Sequence, residues 1–182
     1  MTLSKQQMDA AQEFANVTIS ALRSTGGHAE TLVAATARMA GTYLFRSFGF
    51  KLPRVKPGQA VLSEEANEQG LLLLQIASGV LSQIGIRLDN TQSSGATSST
   101  NEPVLQFLDT QTKLEPLYAP IKARRRLSTQ EAAHAAAVAT ALLIRHFANM
   151  LDPNVAFGIA AYGFVEGTKT APDPVEISKS GP

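Results

Sequence analysis

Residues 128 to 151 spell an alanine-rich helix with both ends written into the sequence, and this element constrains the fold more than any other feature of the chain. Ser128 and Glu131 stand at the spacing of a capping box, in which a hydroxyl accepts from the amide three residues on and a carboxylate accepts from the amide of the cap. Behind the box, Ala136, Thr140, Leu143, Phe147 and Met150 recur at alternating steps of four and three, which sets them along one seam of a helix. Asp152-Pro153 then stops it. The other periodic stretches also read as helix, so the expected fold is all-α: a single-domain antiparallel bundle of about six helices over residues 1–168, with an exposed or disordered tail over 169–182.

A chain of 182 residues buries enough surface to need no covalent staple, and there is no cysteine to supply one. Disulfides, thiolate metal sites and cysteine nucleophiles are thereby excluded. The first residues carry neither a basic segment nor an apolar one, which makes a cytoplasmic location the expectation. The most apolar window, Leu71 to Ile86, is broken by Gln75, Ser78, Ser82 and Gln83 and is shorter than the ~20 residues of a membrane span, so no membrane partner is expected. A net charge of +1 provides no field to draw nucleic acid.

Along the chain, a first helix runs from Ser4, with Gln7 completing a second capping box, to about Ser24, its inner face marked by Met8, Ala11, Ala15, Thr18 or Ile19, and Leu22. Gly26-Gly27 ends it. A second helix over about Ala29 to Phe48 contains Ala34, Ala35, Ala37, Ala40 and Gly41, small residues that let another backbone approach closely. Pro53, Pro57 and Gly58 make the next stretch a linker. Ser63 caps a third helix to about Arg87, whose wide apolar arc belongs either at the centre of the fold or at a subunit interface. A polar loop over Asp89 to Asn101 leads to a fourth helix with Pro103 in its first turn, and Pro116 and Pro120 kink or break that helix ahead of the basic cluster Lys122, Arg124, Arg125 and Arg126. A last helix, Val155 to about Val165, carries Gly158 and Gly163; two interior glycines are tolerable only if something packs tightly on them.

Three constellations bear on chemistry. Arg38, Thr42 and Arg46, with Thr31, fall within about 80° of one another around the second helix, so two guanidinium groups and two hydroxyls can line a groove for a small anionic ligand. The plainer reading pairs these arginines with Glu64, Glu65 or Glu68 of the next helix. Glu131 and His134 have the Glu-x-x-His spacing used by di-metal sites in helical bundles, but no second pair exists, and a cap plus a surface histidine accounts for both. The basic cluster of residues 122–126 lacks interleaved aromatics, which argues against nucleic acid, and its cations suit the negative end of the fourth helix. No catalytic motif and no cofactor motif is present, so the leading expectation is a non-enzymatic protein that forms a homo-oligomer or binds a partner through its small-residue and leucine-rich faces. Alternatives are an anion-binding or regulatory domain using Arg38, Thr42 and Arg46, and a metal-dependent bundle oxidase using Glu131 and His134.

Overall fold

The computed structural model describes residues 2–23, 28–89 and 104–175. Among them are six α-helices: α1 (Lys5–Arg23), α2 (Ala29–Ser47), α3 (Glu64–Gln83), α4 (Phe107–Arg124), α5 (Thr129–His146) and α6 (Pro153–Lys169). They pack as one bundle, and no strand interrupts it among the described residues. The expected Gly26-Gly27 stop, most of the 89–101 loop and the Pro103 start lie outside the described residues.

The helix starts follow the capping chemistry. The Gln7 amide donates to Ser4 Oγ and the Ser4 amide to Gln7 Oε1. At α5 the Glu131 amide donates to Ser128 Oγ, while the Ser128 amide donates to the Glu131 carboxylate over 2.8 Å. Ser63 accepts from the Ala66 amide, and Asp152 accepts from the amides of Asn154 and Val155.

The ends differ more from expectation. The third helix stops at Gln83 rather than Arg87, because Gly85 takes a φ of +85° and closes a Schellman turn: the Ile86 amide donates to Leu81 O and the Gly85 amide to Ser82 O. The fifth helix ends at His146, which leaves Met150 off the seam and exposed, whereas Ala136, Thr140 and Leu143 are buried as expected. On α1, Ala11, Ala15, Thr18 and Leu22 face inward but Met8 does not.

At the centre stands α2. Every residue from Thr31 to Phe45 is buried, and the helix touches all five others. Its heaviest contact is with α6, through small residues on both sides. A Cβ added to Gly41 would sit 2.6 Å from Thr168 N, and one added to Gly163 would sit 2.9 Å from Ala37 Cβ, so these two backbones lie closer than any side chain permits. Gly158, by contrast, meets nothing. The central position expected as one option for the leucine-rich third helix is thus taken by α2. Instead, α3 is peripheral: Leu73, Ile76, Ala77, Val80 and Leu81 pack inward, while Leu71 remains 58% exposed.

The first residues of the expected tail also depart from expectation, while 176–182 lie outside the described residues. Residues 169 to 172 do not hang free: Ala171 is fully buried, the Val61 amide donates to Lys169 O, and Gly58 and Gln59 exchange backbone bonds with Ala171. The proline-rich linker leaves those amides and carbonyls unpaired, and the returning chain satisfies them. This strap then crosses the bundle toward α4.

Candidate functional site

Asp173 and Pro174 of the strap lie on the arginine face of α2. Arg46, with a side chain only 2% exposed, lies at the last turn of that helix. Its Nη1 donates to the carbonyl oxygen of Pro174 over 2.8 Å and its Nη2 to that of Asp173 over 3.1 Å, so one guanidinium edge holds two adjacent backbone oxygens. Glu115 of α4 completes the contact, accepting from Nη2 over 3.1 Å. Nε lies 3.1 Å from the other Glu115 oxygen, close enough for an ion pair but outside hydrogen-bond geometry.

Gln111, one turn earlier on α4, holds the strap by both ends of its amide. Its Nε2 donates to Asp173 O and also to Glu115 over 2.7 Å, and its Oε1 accepts from the Asp173 amide over 3.0 Å. Asp173 and Pro174 are therefore gripped through backbone atoms alone. A shallow cavity of about 350 Å³ opens beside them, lined by Thr112, Glu115, Pro116 and Ala119.

The other residues of the expected groove go elsewhere. Arg38, 6% exposed, donates from Nε to Glu166 of α6 over 2.5 Å and from Nη1 to Leu105 O. Thr31 Oγ1 accepts from the Val104 amide. The structure thus separates Arg38 and Thr31 from Arg46, and neither arginine pairs with Glu64, Glu65 or Glu68. Partners came from α4 and α6 because those helices, rather than α3, flank the arginine face.

Four buried side-chain atoms among the described residues have no hydrogen-bond partner, and three of them, Thr42 Oγ1, Tyr43 Oη and Arg46 Nε, occupy one turn of α2. Tyr43 stacks loosely with Phe14 and Tyr118, whose own rings lie 4.1 Å apart and nearly parallel. The two phenols differ sharply in their polar contacts. The Tyr118 hydroxyl is 2.7 Å from Thr18 Oγ1, and burial pushes its pKa up to about 12. Burial raises that of Tyr43 further, the Glu115 carboxylate adds to the rise and Arg46 opposes it, so this hydroxyl is a neutral donor within the field of the ion pair. Tyr43, Gln111 and Glu115 carried no sequence signal: Gln111 and Asp173 are 62 positions apart, and nothing local marks their meeting.

The remaining candidates resolve into structure. The Glu131 carboxylate is held low by the amide and hydroxyl of Ser128 and serves the cap. His134 is not a surface residue as expected: it is 7% exposed, and Nε2 is the fourth unpartnered atom. Burial lowers its pKa, against a smaller raising effect of Glu131. Among the described residues, no three His, Asp or Glu side chains gather as a metal site. Arg125 donates to Glu13 and Asp9 of α1, and Arg124 to Glu13, so half of the basic cluster ties α4 to α1. No helix of the described residues is long and apolar enough to cross a membrane.

Comparison with protein-family models, with curated proteins and with solved structures returned no match.

Proposed function

We propose that this chain is a non-enzymatic helical protein that assembles with a second copy of itself through the surface shared by α3 and α6. The observation that supports the reading is an absence of charge over a wide, exposed area. From Gln69 to Ile86 and from Pro153 to Val165 there is no Asp, Glu, Lys or Arg. On that surface Leu71 is 58% exposed, Tyr162 66% and Val165 45%, and a groove of about 570 Å³ is lined by Leu74, Ser78, Ile86 and Phe157, with Arg87, beyond the end of α3, the one charged residue in its lining. Apolar side chains scattered singly need no explanation, but adjoining ones mark an interaction surface.

A second copy is the favoured occupant because a two-fold interface sets a patch against itself. Like charges within such a patch would oppose one another, and the facing stretches of α3 and α6 carry none, Arg87 standing only at one end of the groove. Size-exclusion chromatography with light scattering tests the reading. The wild-type chain should run as a dimer, and Tyr162→Glu, which would bury a carboxylate against its own image, should run as a monomer of unchanged helicity. A wild-type chain that is monomeric at every concentration would end the proposal, as would a dimer indifferent to both Tyr162→Glu and Leu71→Glu.

A further inference from the structure

Away from that surface, an open cavity of about 430 Å³ lies where the turn between α4 and α5 meets the start of α1. Its volume falls within the ~300–1,000 Å³ of small-molecule sites. Arg124, Arg125 and Arg126 all line it, together with Ser4, Gln6 and Glu131. The three guanidinium groups are committed to very different degrees. Arg125 donates from all three of its nitrogens to Glu13 and Asp9, whereas Arg124 donates from Nη2 alone, to Glu13. Arg126 has no side-chain hydrogen bond and no ion pair among the described residues. It also stands at a φ of +54°, a left-handed conformation that glycine adopts freely and a residue with a Cβ does not. The fold itself therefore gives no reason for an arginine at this position.

We infer that this cavity binds the phosphate group of a small soluble molecule, with Arg126 and Arg124 as its principal donors. A tetrahedral phosphate offers oxygens in several directions and so meets the forks of two arginines at once, whereas a planar carboxylate fills one. Arg125 remains on Glu13 and Asp9 and holds α4 against α1, which fixes the wall of the site. Charge favours the same occupant. Lys5 and the three arginines face three carboxylates, Asp9, Glu13 and Glu131, so the cluster is short of negative charge. The first turns of α1 and α5 border the cavity, and the positive ends of both helix dipoles add to the attraction. Glu131 is the one opposing charge in the lining, and it is engaged in its cap with the Ser128 amide.

The experiment is a titration of isotope-labelled, full-length protein with inorganic phosphate and with pyrophosphate, against acetate and chloride at matched ionic strength, read by amide shifts. Saturable shifts are expected at Gln6, Arg126 and Leu127 with both phosphates, and acetate should bind severalfold more weakly. Arg126→Gly removes the uncommitted guanidinium and relieves the backbone, so the variant stays folded; it should bind phosphate roughly tenfold more weakly. Glu131→Gln retains the capping box, because glutamine serves at that position, and should tighten binding severalfold by removing the opposing charge. Lys122→Gln discharges the same helix end outside the cavity and should leave the affinity nearly unchanged. The inference would be overturned by shifts that follow ionic strength without saturating, by equal affinity for acetate and phosphate, or by an Arg126→Gly variant that binds as well as the wild type. Equal losses in Arg126→Gly and Lys122→Gln would overturn it too, since they would report a diffuse field rather than a site. So would binding confined to a single-stranded oligonucleotide, with neither phosphate nor pyrophosphate saturating.

Discussion

Arg126 shows how one residue can work against the fold it belongs to. It follows the end of α4 with a φ of +54°, its amide donating to Ala123 O and the next amide, that of Leu127, donating to Lys122 O. This is the same Schellman turn that Gly85 makes after α3, but built on a residue with a Cβ. A left-handed conformation costs such a residue roughly 1–2 kcal/mol, and glycine pays nothing for it. The side chain is exposed, and its neighbours Arg124 and Arg125 already supply the ion pairs to α1. Arg126→Gly should therefore stabilise the protein by about 1 kcal/mol in chemical denaturation, with no change in the slope of the transition. A loss of stability would mean that Arg126 makes a contact worth more than its strain.

At the scale of the element, helix identity was legible and helix neighbours were not. Both capping boxes and the Ser63 cap could be read directly, because a cap is a local contract between residues three apart, whereas Asp152-Pro153, expected to stop the fifth helix, instead caps the start of α6. Stops were harder. Gly85 lies in an apolar run whose periodicity does not mark it as a stop, and Pro116 and Pro120, expected to kink or break α4, lie within one helix that continues to Arg124. Both prolines are exposed and stand four residues apart, so the missing amides fall on the solvent side, where a helix that curves round a core already lengthens its bonds. The small residues of α2 were correctly read as room for another backbone, yet nothing local named α6 as the partner. That contact makes a signed prediction. Gly167→Ala drives a Cβ into the backbone of Arg38, and Gly41→Ala drives one toward Thr168, so each should destabilise by about 1–3 kcal/mol. Gly158→Ala, on the same helix but with open space around it, should instead stabilise by up to ~1 kcal/mol through helix propensity. If all three changes moved stability in one direction, the α2–α6 contact would not be as close as described.

For the molecule as a whole, the surroundings of the arginine face were not legible: Arg38, Thr42 and Arg46 share a face of α2, but the partners of Arg46 arrive from α4 and from the strap, by long-range packing. The same long-range placement sets how stability responds to pH. His134 sits buried near the start of α5, where desolvation outweighs the pull of Glu131 and holds its pKa below the ordinary 6.5. The unfolded chain then takes up a proton more readily than the folded one, so stability falls as pH drops through 6.5 and levels off once the folded-state pKa has been passed. Glu13, Asp9 and Glu131 act in a lower window. For Glu13 burial pushes upward, but hydrogen bonds from Arg125 and Arg124 prevail; Lys5 and Arg125 hold Asp9 low, and the cap does the same for Glu131. Their contribution is fully present above the ordinary carboxylate values of 4.5 and 3.8, and it is lost as pH falls below them. Denaturation midpoints across pH should therefore show two separate declines. His134→Gln should erase the upper one and spare the lower, because the buried imidazole that unfolding would protonate is then gone. A wild-type midpoint that stays flat from pH 7 down to the carboxylate range would show that the buried imidazole protonates as easily in the fold as outside it.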